Sequence, residues 1–145
     1  MPSDVARQRL TESATETEAA GERLGAQLVR GDMLLLVGEM GAGKTTLVRG
    51  IARGMGLDAD VMSPTFQLVR LYRGRLPLAH VDVYRLGDTG EIAELGLDEL
   101  LDDGVVVVEW GDRLTWPGAA RIRIDEPSRT SRRLVLEEAP ERWSW

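Results

Sequence analysis

The chain contains no cysteine and no asparagine, and it has a single lysine and a single histidine. Without cysteine there is no disulfide framework, no thiol nucleophile and no cysteine-based zinc site. No apolar run approaches the length that spans a bilayer. The opening residues, MPSDVARQRL, lack the apolar core of a signal peptide. These absences make a cytoplasmic protein, away from membranes, the expectation. Positive charge is in deficit as well: 18 Lys and Arg against 24 Asp and Glu leave a formal net charge of −6. That argues against a surface given over to nucleic acid, although a local arginine patch stays open. At 145 residues, 43% hydrophobic and 29% charged, the chain suits one globular domain with a core of its own.

Against that background one stretch stands out, Leu34 to Arg49, read LLLVGEMGAGKTTLVR. Leu34 to Val37 is a short apolar run suited to a buried strand. Gly38-Glu39-Met40-Gly41-Ala42-Gly43-Lys44-Thr45 fits G-x-x-x-x-G-K-[ST], the phosphate-binding loop. Leu47, Val48, Ile51, Ala52 and Met55 follow at helical spacing. The context the motif needs, strand then loop then helix, is therefore present. Glycines let the backbone turn tightly and bring its N–H groups close to phosphate oxygens. The helix points its positive end at the same place. Lys44 adds a mobile cation for the outer phosphates, and Thr45 a hydroxyl for Mg²⁺. A glycine-rich turn that matches by accident is the alternative, and four fixed positions with the right flanks make it rare. Every other basic residue is arginine. Lysine stands only where a compact ammonium suits the loop and a wide guanidinium would not.

Along the rest of the chain the signals are more local. Residues 1–12 read as a loose polar start and 140–145 as a frayed end, both flexible. Thr15-Glu16-Thr17-Glu18 has the form of a capping box, and Ala20, Leu24 and Leu28 follow at four-residue steps, which predicts a helix from about 16 to 30. The helix after Lys44 should stop near Gly54 or Gly56. Ser63-Pro64-Thr65-Phe66 reads as a loop entering a strand. Phe66 to Tyr72 and Leu76 to Val83, joined by Arg73-Gly74-Arg75, predict a hairpin. Thr65 is either a structural threonine or a sensor of a terminal phosphate. His80 lies in that alternating strand, where a satisfied structural histidine is the simpler reading. Asp82 at the strand end either holds Mg²⁺ through water or orients a nucleophile, or else pairs with Arg85 or caps a turn.

Residues 88–103 carry an acidic run that Gly96 divides into two short helical pieces. It is either a solvated face or a docking surface for a basic partner. Then come Val105 to Val108, four consecutive valines that suit a strand buried on both faces of a parallel sheet. Glu109 follows directly. In open α/β sheets ligands lie at the carboxyl ends of the strands, so Glu109 is placed to meet Mg²⁺ or its water. Trp110 is a packing residue or a wall of the site. Arg121 to Asp125 and Arg132 to Glu138 alternate, which predicts an antiparallel hairpin with one wet face. The expected architecture is α/β: a single P-loop NTPase-like domain, residues 1–145, with a mixed central sheet, flanking helices and antiparallel hairpins.

The ordered set of Gly38 to Leu47, Ser63 to Phe66, His80-Val81-Asp82-Val83-Tyr84-Arg85-Leu86 and Glu109-Trp110 resembles the TsaE (YjeE) family. These are bacterial P-loop ATPases of tRNA threonylcarbamoyladenosine biosynthesis. The likeness runs from about Thr15 to Leu136. It implies binding of ATP with Mg²⁺ and weak hydrolysis by the subunit alone, controlled by partners. Those partners would be TsaD, which transfers the threonylcarbamoyl group, and TsaB, with tRNA met only indirectly through the complex. Alone, the chain would be a monomer or self-associate weakly. The resemblance also implies roles by position. The loop residues Gly38, Glu39, Met40, Gly41, Ala42, Gly43, Lys44, Thr45 and Thr46 would hold nucleotide. Thr45 and Glu109 would ligate Mg²⁺, while Lys44, Thr65, Asp82 and Glu109 would form the catalytic surround. Trp110, Arg132 and the helix start at Ser13 to Thr15 would lie beside the nucleotide.

Three other readings compete. A nucleotide-dependent binding module blends into the ATPase reading, because slow hydrolysis and partner control are hard to separate by sequence. A P-loop small-molecule kinase needs an acceptor pocket and usually an arginine-rich lid, and the late arginines Arg129, Arg132 and Arg133 look like hairpin instead. A GTPase-like switch normally recognises guanine through Asn-Lys-x-Asp, and this chain has no asparagine and has already committed its lysine.

Overall fold

The computed structural model describes residues 7–38, 43–57, 69–83, 96–110 and 114–145. Its elements in chain order are β1 (Gln8–Thr11), α1 (Ala14–Gly25), β2 (Met33–Val37), α2 (Lys44–Gly54), β3 (Val69–Tyr72), β4 (Leu78–Asp82), α3 (Leu97–Asp103), β5 (Val105–Glu109), β6 (Ala120–Asp125) and β7 (Arg132–Glu138). Seven strands form one sheet in the order β1-β7-β6-β2-β5-β4-β3. The four central strands are parallel, with β2 between β6 and β5 and with β4 beyond β5. Antiparallel strands finish both sides, β3 on β4 and β7 then β1 on β6. This is the expected mixed sheet with flanking helices.

The valine run explains the centre. Val105, Val106, Val107 and Val108 are all fully buried, because both faces of β5 are covered. One face packs Leu34, Leu36, Val105, Val107 and Ile122 against Leu24, Leu47, Val48 and Ile51 of α1 and α2. The other packs Met33, Leu35, Val81, Val106 and Val108 against Leu97 of α3 and Leu114. Alternate residues of one strand thus feed two separate apolar layers, each buried side chain contributing roughly 1.5–3 kcal/mol.

Helices α1 and α2 lie side by side in the same direction, and glycines set the distance between them. A Cβ built on Gly21 or Gly25 would fall 2.4 Å from Leu47 O or 2.2 Å from Ile51 O. A Cβ on Gly50 or Gly54 would fall 2.0 Å from Glu18 O or Glu22 O. Gly21-x-x-x-Gly25 and Gly50-x-x-x-Gly54 are therefore two notches that let backbone meet backbone. Arg53 and Glu18 close the pair with a 2.6 Å ion pair.

The structure differs from the sequence expectations at both ends of the chain. Gln8–Thr11, read as part of a flexible start, is a strand paired with β7. Residues 140–145, read as frayed, fold back so that Trp143 and Trp145 are buried in the core. Trp145 Nε1 donates to Arg7 O at 3.1 Å, and Gln27 exchanges two hydrogen bonds with the Ser144 backbone. The physical reason is the area of two indoles, which no helical or strand period advertises. The first helix also starts earlier than expected. Ser13 is its cap, accepting from Glu16 N at 3.1 Å, while Glu16 Oε2 accepts from Glu12 N. Ser13-x-x-Glu16 is thus the box in use, two residues before Thr15-x-x-Glu18. Thr17 is instead buried against Thr11, their hydroxyls 2.6 Å apart. The β3–β4 hairpin, the β6–β7 hairpin and the end of α2 at Gly54 match their expectations. Glu39 to Ala42, Thr65 with its loop, Tyr84 to Leu86 and the first acidic piece lie outside the described residues.

Candidate functional site

Three strand ends meet at one edge of the parallel sheet. Strand β2 delivers Val37 and Gly38, β4 delivers Asp82, and β5 delivers Glu109. Asp82 and Glu109 are direct register partners across β4 and β5, and Leu36 is the partner of Glu109 across β2 and β5. Of the sequence-derived candidates, Gly38, Gly43, Lys44, Thr45, Thr46, Asp82, Glu109, Trp110 and Arg132 are described. All belong to this edge or to the turn beside it.

Gly43 caps α2 with φ of 96° and offers no side chain to its first N–H groups. The positive φ suits glycine, and the bare cap leaves the helix N-terminus open to an anion. Lys44, the first residue of α2, is buried. Its Nζ donates to Gly38 O at 3.0 Å and lies 3.6 Å from the centroid of the Trp110 ring. Trp110 is therefore a wall over the ammonium, a favourable cation–π arrangement. Its φ of 64° makes it the one non-glycine residue with positive φ among the described residues. Strained backbone of this kind costs roughly 1–3 kcal/mol and gathers at functional sites.

Glu109 is 5% exposed. Its Oε2 is 2.5 Å from Nε2 of His80, which is fully buried. Sequence reading made His80 structural and missed this contact. The available signal was the alternation His80-Val81-Asp82, which puts His80 on the same sheet face as Asp82. Arg70, not singled out before, faces His80 in register across β3 and β4.

Beside the N-termini of α1 and α2 is a cavity of about 330 Å³, lined by Glu12, Ser13, Thr17, Gly43, Thr46 and Arg132 among others. The helices run in the same direction, so both positive ends open here. Thr11 Oγ1 donates to Arg132 O and accepts from Thr17, tying β1, α1 and β7 together behind the cavity. Arg132 holds its own turn: Nη1 donates to Ser131 O at 2.8 Å and to Ser128 O and Arg129 O at 3.3 Å. Its side chain passes 3.5 Å from where a Cβ on Gly43 would sit. The expected neighbours of the loop, Arg132 and the α1 start at Ser13, thus share one hollow with Gly43 and Thr46.

Comparison with known proteins then decides the family. A family model described as "Threonylcarbamoyl adenosine biosynthesis protein TsaE" matches residues 11–134. The chain belongs to the TsaE family. A tRNA threonylcarbamoyladenosine biosynthesis protein TsaE from Mycobacterium tuberculosis is 41% identical, over 90% of this chain and 82% of that protein. TsaE from Streptomyces coelicolor is 42% identical, over 86% of this chain and 91% of its own length. The crystal structure of Bacillus subtilis YdiB superposes with a TM-score of 0.75 at 32% identity, covering 94% of this chain and 87% of that one. The TsaE match runs from Thr11, the last residue of β1, to Leu134 in β7, so the strands from β2 to β6 and the strand-end cluster fall within it. Among the described residues no helix is long and apolar enough to cross a membrane.

Proposed function

We propose that the chain is a Mg²⁺-dependent ATPase subunit that binds and slowly hydrolyses ATP. In this reading it supports a TsaB–TsaD complex in the threonylcarbamoyl modification of tRNA adenosine. The observation that carries it is the convergence of the α2 N-terminus, Lys44, Asp82 and Glu109 at one sheet edge, in a chain of the TsaE family. The phosphates would lie on the backbone N–H groups at Gly43 to Thr46, with the Lys44 ammonium neutralising the outer ones. The nucleoside would extend into the cavity at Ser13, Thr17 and Arg132, whose volume suits a small ligand.

The donor set fits Mg²⁺. The Thr45 hydroxyl and the Glu109 carboxylate are hard oxygen ligands, and Mg²⁺ with nucleotide usually takes only one or two from protein. Glu109 Oε1 has no hydrogen-bond partner among the described residues. When bound, Mg²⁺ would draw charge from the β- and γ-phosphate oxygens. Asp82, the register partner of Glu109, would orient the attacking water, and Trp110 would keep bulk water from Lys44. Net charge of −6 supports contact with tRNA through the complex and not directly. The exposed acids Asp98, Glu99, Asp102 and Asp103 on α3 would offer a face to a basic partner surface.

The test is ATP turnover by the purified protein, alone and with TsaB and TsaD, with GTP as control. Weak turnover that rises with the partners supports the reading. Turnover that ignores them but rises with a small-molecule acceptor replaces it with a kinase. Lys44→Ala should lower turnover by about 10²-fold or more while circular dichroism stays native.

A further inference from the structure

Resting on that reading, we propose that His80 is a positioning residue for Glu109, holding one carboxylate oxygen so that the other is presented to the divalent cation. A glutamate has three rotatable bonds, and a metal ligand at a strand end is useful only if they are fixed. His80 supplies the fixing from a neighbouring strand. It is fully buried in β4, two residues before Asp82 and on the same face, and Nε2 lies 2.5 Å from Glu109 Oε2.

The tautomer follows from what is left over. His80 Nδ1 is buried with no hydrogen-bond partner among the described residues. A proton on Nδ1 would be an orphaned donor and would leave Nε2 as a lone pair against a carboxylate. With the proton on Nε2, the ring donates to Oε2 and only an acceptor is left unpaired, which costs less. The ring therefore occupies Oε2 and leaves Oε1 without a partner among the described residues. A plain structural histidine would be expected to satisfy backbone or to bond at both nitrogens. This one spends its single hydrogen bond on the acid at the strand end.

The test measures metal affinity apart from turnover. Mn²⁺ is titrated by electron paramagnetic resonance in the presence of ADP, and ADP affinity is measured separately without metal. The variants are His80→Gln, which keeps an N–H near the Nε2 position, and His80→Asn and His80→Leu, which do not. The positioning role expects Mn²⁺ binding weakened about 10- to 100-fold in the Asn and Leu variants. It expects near-normal binding in the Gln variant and unchanged metal-free ADP affinity in all three. If His80→Leu fails to fold, the Gln and Asn pair carries the comparison. Equal Mn²⁺ affinity in folded Asn and wild-type protein overturns the inference and leaves the ATPase reading standing. A wild-type protein whose nucleotide binding ignores Mn²⁺ overturns that reading, and the inference with it.

Discussion

Lys44 and Trp110 show how much of the site is decided by single residues. The ammonium is held between Gly38 O and the indole face, and the indole reaches that place only because its backbone takes φ of 64°. Asp32 gives a residue-scale prediction of a different kind. Burial raises its carboxyl above the ordinary 3.8, while the Val29 N–H bond at 2.8 Å and the nearby Arg142 guanidinium pull it down. A raised folded value means that stability is fully present below the ordinary pKa and lost as pH rises through the raised one. Asp32→Asn keeps an acceptor for Val29 N–H and removes the titration. Its stability relative to wild type should therefore grow as pH climbs through that window, followed by urea unfolding at successive pH values. A difference that stays constant with pH would remove Asp32 from the account.

At the scale of elements the decisive feature is the glycine seam between α1 and α2. Because the helices touch backbone to backbone and run in the same direction, both N-termini arrive at one hollow. Gly50→Ala would drive a methyl to within 2.0 Å of Glu18 O. The helices would have to part, at a cost of about 3 kcal/mol, the upper end of ordinary overpacking. Urea unfolding should show that loss, and nucleotide affinity should fall with it, because the cavity walls at Ser13 and Thr46 move apart. An unchanged denaturation midpoint would mean that the seam yields freely.

For the whole molecule the question is what closes it. The last residues return across the start of the chain, with Trp143 2% and Trp145 7% exposed, and Trp145 bonded to Arg7 O. The tail is a cover for the α1 side of the core. Trp143→Ala should cost about 3–5 kcal/mol, the usual range for emptying a buried tryptophan site. Thermal unfolding measures it, and a loss under about 1 kcal/mol would return the tail to a mere appendage.

Local structure is legible in the sequence. The strand and helix that flank the phosphate-loop motif, the buried valines of β5 and the two hairpins all followed from period and motif, because their signals come from residues that are neighbours in the chain. The cap of α1 was misread by two residues, since Ser13 and Thr15 both precede a glutamate at the right spacing. Only burial of Thr17 against Thr11 chooses between them. The buried tail had no period to read. His80 and Glu109 are 29 residues apart, and their contact exists because β4 and β5 lie side by side in one particular register. The sequence alone determined which residues are the candidates for phosphate and metal chemistry. Tertiary structure decided which of them touch, because strand order and helix approach depend on hydrogen bonding and packing between segments that are remote in the chain.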